Sequence, residues 1–202
     1  MPLWLAGEPL VLASRSKARH QLLTAAGVPV EVNPAGIDER SLEAAASCSP
    51  PGEIAAVLAR AKASAIAAVC PGRLTLGADQ TLALGTACFA KPADMAAARA
   101  QLGALRGRTH ALHSAIAFVQ DGKVLFEHVG IARLTMRAFS ERFLDRYLET
   151  VGAAAMTSVG GYQIEGAGAQ LFERIEGDYF TVLGLPLLPV LDFLRRQGWL
   201  VS

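Results

Sequence analysis

The sequence predicts an α/β fold, and three observations carry that expectation. Strand-like and helix-like segments alternate along the chain, a central apolar run ends on a carboxylate, and an Asp-Gly turn separates two long strand-like stretches. A chain of 202 residues fits one large domain or two small ones. No internal repeat divides it and no Pro-, Gly- or Ser-rich linker cuts it, so residues 1–202 are expected to form a single domain, with the hairpin region as a lobe facing the first half.

Taken in order, Leu10 to Ala13 is a short apolar strand, and Ser14 to Arg19 turns into a helix. That helix carries Ala18, Leu22, Leu23 and Ala26 on one face and stops at Gly27. Val28 to Val32 reads as a second strand, and Asn33 to Ser49 as a polar stretch containing Asp38 and Glu39. From Glu53 to Val69 the residues Ile54, Val57, Leu58, Ala61, Ala65 and Val69 keep helical spacing, with Lys62 on the flank of the stripe and its ammonium expected outward. Leu74, Leu76 and Ala78 alternate with Thr75, Gly77 and Asp79 in a short strand that ends on the Asp79 carboxylate. Lys91 stands in a turn before Pro92, ahead of a helix on Met95, Ala98, Leu102 and Leu105 that Gly107 ends. Thr109 to Val119 and Lys123 to Met136 flank Asp121-Gly122, the signature of a tight hairpin. Ser140 caps a helix bearing Phe143, Tyr147, Leu148 and Val151, and Gly160 to Gly168 is a glycine-rich loop of close backbone approach. Gln170 to Ile175 is strand-like, and Pro186 to Arg196 is the last helix.

Composition narrows the function. Nineteen basic against eighteen acidic side chains give a net charge of +1, which argues against duplex nucleic acid as the main partner but leaves room for a small anion. No window approaches a membrane span, and Met1 to Leu12 has no basic leader and carries Glu8, so neither a transmembrane helix nor a signal peptide is expected. Cys48, Cys70 and Cys88 are odd in number and lack CxxC spacing, which favours buried or idle thiols in a reducing cytoplasm over a disulfide frame or a zinc site. His110, His113 and His128, scattered on strands, read as structural.

Two constellations suggest chemistry. Asp79 at a strand end and Lys91 twelve residues on suit phosphoryl transfer, a base orienting water while a cation offsets phosphate charge. From those two residues alone the plainer reading, a turn cap and a solvated lysine, is preferred. Ser14, Arg15, Ser16, Lys17 and Arg19 crowd a strand-to-helix turn that could bind an anion through backbone N–H groups and arginine, or could be an N-cap with solvated basic neighbours.

Several motifs in register resemble one family. Leu12-Ala13-Ser14-Arg15-Ser16-Lys17-Ala18-Arg19 resembles the LASxSxxR opening of the Maf family of nucleoside triphosphate pyrophosphatases. Ile37-Asp38-Glu39 is similar to its acidic pair, Ala59-Arg60-Ala61-Lys62-Ala63 to its lysine-bearing helix, and Gly77-Ala78-Asp79-Gln80 to its GAD strand end. Lys91-Pro92, Leu105 to His110, Gly160 to Gly166 and Val182 to Leu187 continue the match over nearly the whole chain.

The resemblance implies an elongated mixed sheet flanked by helices, two lobes around a cleft, usually in a homodimer. It implies hydrolysis between the α and β phosphates of a nucleoside triphosphate, with Asp79 as general base and a divalent cation, Mg2+ or Mn2+, held by Glu39 and Asp79. Ser14, Arg19, Lys62 and Lys91 match the family's phosphate-site residues. Gln80 and Glu165 are similar to the branch acting on 7-methyl-GTP, whereas Ala18 stands where one branch has arginine and the other tryptophan, so Ala18, Gln80 and Glu165 are the positions that bear on base choice. Two other readings stand beside this one: a nucleotide-binding regulator of cell division with little turnover, and a house-cleaning hydrolase for deaminated purine nucleotides.

Overall fold

The computed structural model describes residues 3–46 and 49–202, so Cys48 lies outside the described residues, as do Met1, Pro2 and Ser47. The elements run β1 (Leu10–Leu12), α1 (Lys17–Ala25), β2 (Val30–Val32), α2 (Glu39–Ala45), α3 (Pro51–Ala67), β3 (Thr75–Leu84) and β4 (Ala87–Phe89) in the first half. They continue with α4 (Met95–Leu105), β5 (Thr109–Gln120), β6 (Lys123–Met136), α5 (Glu141–Val151), β7 (Phe172–Glu176), α6 (Tyr179–Val182) and α7 (Leu187–Arg196). Three short 3-10 turns fill the interval between α5 and β7.

The seven strands form one mixed sheet in the order β2-β1-β3-β5-β6-β7, with β4 paired to β3. β1 lies parallel to both β2 and β3, Leu12 standing opposite Val32 on one side and Leu76 on the other. β4 and β7 are antiparallel to β3 and β6. Asp121 (φ 49°) and Gly122 (φ 74°) both take positive φ, the requirement of the type I′ turn that suits a two-residue hairpin. The α/β class expected from the sequence is the observed one.

By compactness the chain divides into two units. The first holds the residues up to Gln80, Ser114–Gly130 and Asp178–Ser202, and the second holds Thr81–His113 and Ile131–Gly177. In the first unit β3 alternates its side chains. Leu74, Leu76 and Ala78 join Leu10, Leu12, Leu23, Phe118 and Phe193 in a core covered by α1 and α7. On the other face the alanines 55, 59, 63 and 67 of α3 meet Ala115, Ala117 and Val119. These small side chains let α3 lie against the sheet, and Gly77 completes the fit, because a Cβ there would stand 2.0 Å from the Ala59 carbonyl oxygen. In the second unit α4 buries Ala98, Leu102 and Leu105, and the rings of His110, Tyr162 and Phe172 cluster, with Tyr162 edge-on to Phe172 at 4.8 Å.

Four expectations are corrected. β3 does not end on Asp79: buried Thr81, Leu82 and Ala83 continue it to Leu84, and β4 returns along that extension, a strand the sequence reading lacked. The polar stretch around Asp38 and Glu39 contains a helix, α2, whose N-cap is Asp38 accepting from Ser41 N–H at 3.2 Å. The buried face of α3 runs through residues 54, 55, 58, 59, 62, 63, 66 and 67, so Lys62 sits within the buried face and Val69 is exposed. Alanines fill so much of this helix that hydrophobicity alone misplaced the stripe. The short helix α6 was not foreseen.

Candidate active site

The close seating of α3 on β3 gives the first unit its polar centre. Asp79 shares the sheet face of Gly77 and is 8% exposed, as is Lys62, one α3 turn beyond Ala59. Lys62 Nζ lies 2.5 Å from Asp79 Oδ1 and 3.0 Å from Glu39 Oε2, so the ammonium points inward to join two carboxylates, contrary to the outward orientation expected from the helix pattern. A buried charge is tolerable because it is paired. Asp79 Oδ2 has no donor among the described residues, and the side chain retains 12% exposure, enough to meet water.

Arg19 enters from α1. Its Nε donates to the Gly184 carbonyl at 2.8 Å, and Nη1 donates to the Ala78 carbonyl at 2.7 Å and to Ser14 Oγ at 3.0 Å. Three of the five guanidinium hydrogens are thus held by the fold, and the two on Nη2 have no protein acceptor among the described residues. Burial draws the Arg19 pKa downward, while the negative charges of Asp79 and Glu39 act in the opposite direction. The result is a buried cation with one edge available. Ser14, itself buried, borders an open cavity of about 390 Å³ that Arg15, Ser16, Lys17 and His20 also line.

The structure therefore brings together Ser14 and Arg19 through one hydrogen bond, and Glu39, Lys62 and Asp79 through two ion pairs. Ala18 is half-buried on α1. Gln80 points to the face opposite Asp79, where its amide nitrogen meets Ser114 Oγ and the carbonyls of Thr181 and Val182. Lys91 and Glu165 belong to the second unit, and both are exposed. Of the histidines expected to be structural, His110 Nε2 bonds the Tyr162 hydroxyl at 2.7 Å in a buried setting and His128 stacks on Phe126, while His113 Nδ1 is buried with no partner among the described residues. Cys70 Sγ accepts from Asn33 Nδ2, and Cys88 is exposed on β4.

Glu43 escaped the sequence reading. It lies one α2 turn after Glu39, and its carboxyl pKa is raised by partial desolvation and then by the charges of Asp79 and Glu39. The i, i+4 spacing was visible, but it carried weight only once the stretch was helical. Among the described residues no three His, Cys, Asp or Glu side chains gather into a metal cage. The donors that do converge, Glu39 and Asp79, are hard oxygens. Such a pair fits a small divalent ion that takes one or two carboxylates and completes its shell with phosphate and water.

The family model described as Maf-like protein matches residues 9–197. A Rhodopseudomonas palustris protein named nucleoside triphosphate pyrophosphatase is 57% identical over 200 residues, covering 99% of each chain. A Nitrobacter winogradskyi protein of the same name is 52% identical over 202 residues, covering both chains completely. A Mesorhizobium japonicum protein named 7-methyl-GTP pyrophosphatase is 56% identical over 193 residues, 95% of this chain and 97% of its own.

Proposed function

The chain belongs to the Maf family, and on that premise we propose that it is a nucleoside triphosphate pyrophosphatase, releasing a nucleoside monophosphate and pyrophosphate. The observation that carries this reading is the pairing of Asp79 with Lys62 beside an arginine whose Nη2 edge is unspent. A polyphosphate repels an incoming nucleophile until its charge is offset, so the reaction needs cations around one positioned base.

In this proposal Asp79 Oδ2 orients a water and takes its proton, while the contact of Oδ1 with Lys62 Nζ holds the carboxylate in one orientation. Arg19 Nη2, Ser14 Oγ and the Lys62 ammonium bind phosphate oxygens, and Lys91 and Glu165 keep the phosphate and base roles that the resemblance implies. Glu39 and Asp79 would hold a magnesium or manganese ion, and such an ion, when bound, offsets negative charge on the polyphosphate. The proposal includes a homodimer acting in the cytoplasm; no helix among the described residues is long and apolar enough to cross a membrane.

The test is a panel of GTP, 7-methyl-GTP, dTTP, UTP and inosine triphosphate, incubated with the purified protein and magnesium or manganese. Pyrophosphate and monophosphate in equal amounts are expected from at least one of them. Nucleotide binding without release would put a regulator in place of the enzyme, and preference for inosine triphosphate would mark a house-cleaning hydrolase.

A further inference from the structure

We propose that Arg133 and His113 form a phosphate-binding pair on the open sheet face of the second unit, in addition to the phosphate contacts already named. Its assignment to the phosphates of the nucleotide rests on the pyrophosphatase reading, whereas its chemistry, two donors facing an oxyanion, does not.

Alternation along two neighbouring strands defines the face. On β5 His110 and Leu112 are buried, while Thr109 is exposed and Ala111 and His113 are half-buried. On β6 Ala132, Leu134 and Met136 are buried, while Ile131 and Arg133 are exposed and Thr135 is half-buried. The Thr109 and Thr135 hydroxyls meet at 2.9 Å, so the two outward rows belong to one face. Across from Arg133 on β7 stands Glu176, a position from which a carboxylate can form a cross-strand ion pair. That carboxylate instead accepts from Arg174 Nη2 at 2.8 Å, two residues away on its own strand. The Arg133 guanidinium is left with no hydrogen-bond or ion-pair partner among the described residues.

His113 completes the pair through its tautomer. Its Nδ1 is buried without a partner among the described residues, whereas Nε2 is neither bonded nor enclosed. Either tautomer leaves Nδ1 unsatisfied, and a stranded N–H is the costlier of the two, so the proton resides on Nε2. Burial, and after it the charge of Arg133, lower the imidazole pKa, so the ring is neutral near pH 7 and Nε2 is a fixed donor. A guanidinium whose charge reaches the ring can share a ligand with it. One hydroxyl hydrogen of the Thr109 and Thr135 pair is also uncommitted, and the carboxylate across the strand is already engaged. Such a set of donors matches a phosphate group, whose oxygens accept several hydrogen bonds and whose charge suits the planar guanidinium fork. A cation would instead meet the unpaired guanidinium.

The experiment measures calorimetric binding of inorganic pyrophosphate and inorganic tripolyphosphate to wild type, Arg133→Met, His113→Leu and Arg174→Met. Arg133→Met should weaken one or both ions by about tenfold and His113→Leu by about threefold, as expected for losing a charge-assisted and a neutral hydrogen bond. The double variant should lose less than the product of the two, because both side chains hold one group. Arg174→Met removes the same charge from the same face, but a paired one, and should change binding by less than about twofold. Steady-state kinetics then identifies the source of the phosphate. A raised inhibition constant for pyrophosphate with nucleotide KM unchanged marks the product, and a KM raised equally on GTP and UTP marks the chain of the substrate. Unchanged binding in Arg133→Met overturns the proposal, as does an equal loss in Arg174→Met, which would reveal diffuse charge, or a wild type that binds neither ion. Arg133 and Arg174 are exposed, so their variants keep the fold even if His113→Leu does not, and their comparison alone decides the proposal. A wild-type protein that turns over no triphosphate would sink the pyrophosphatase reading, while the two arginine variants would still decide the phosphate pair.

Discussion

The two units bury polar groups in opposite ways. In the first unit two buried charged groups are paired on one side only: among the described residues Asp79 Oδ2 has no donor and Arg19 Nη2 has no acceptor. In the second unit the buried pair is neutral and faces inward, His110 bonding Tyr162 among aromatic rings, while the Tyr147 hydroxyl donates to the Gly161 carbonyl. Burial pulls the His110 pKa to about 4 and raises those of both tyrosines, Tyr147 to about 12. Ion pairs with open edges have the chemistry to bind a charged ligand. A neutral pair that ties β5 to a glycine-rich segment suits a scaffold, and four experiments can break or sharpen that contrast.

The largest effect is expected from Asp79→Asn, which keeps the shape of the side chain but removes the proposed base. Pyrophosphate release should fall by roughly two to four orders of magnitude while nucleotide binding is largely retained. Wild-type-like turnover in that variant would remove Asp79 from its role.

Lys62→Met tests whether the charge pairing also supports the fold. Stranding Asp79 without its cation should cost about 3 kcal/mol in urea unfolding, the low end of the usual range for a broken buried pair, because Asp79 keeps some access to water. Asp79→Asn added to Lys62→Met should recover much of that loss. If the two changes are simply additive, the pair is not the source of the cost.

For the second unit the sharpest measurement is the pH dependence of stability. His110 titrates near its ordinary value of 6.5 in the unfolded chain and only near 4 in the folded protein, so between these values the unfolded state binds more protons. Its contribution is fully present above pH 6.5 and is lost as pH falls toward 4, amounting to about 3 kcal/mol. His110→Leu should therefore flatten the fall in melting temperature across that window, and an unchanged slope would assign the acid sensitivity to other groups.

The smallest effect is expected from Glu165→Gln, since a carboxylate can accept from the N1–H and exocyclic amine of a guanine. The ratio of guanine to pyrimidine turnover should drop by several-fold, about the worth of one or two hydrogen bonds. Equal changes on both would show that Glu165 does not read the base.

Legibility in the sequence differed between these parts for physical reasons. The Asp121-Gly122 hairpin was readable because a type I′ turn is decided by two adjacent residues. The end of α1 was readable because Gly27 follows its last turn, whereas the structure decided that Ser16, of the two serines in the turn, caps its start. The orientation of Lys62 was not, because in an alanine-rich helix the buried face is chosen by what it meets, and here it meets the missing side chain of Gly77. The extension of β3 beyond Asp79 was also hidden, since its partner β4 is too short and too exposed to announce itself by alternation.

By itself the sequence determined which chemical groups this protein carries and in what order, because motif residues and turn residues act through local rules. Through the resemblance of its motifs it marked Ser14, Arg19, Glu39, Lys62, Asp79 and Lys91 as a set. Only the tertiary structure decided which atom of each is spent and which is left open. The direction of a guanidinium or an amide depends on carbonyls contributed by segments more than a hundred residues away, as Gln80 shows with Thr181 and Val182.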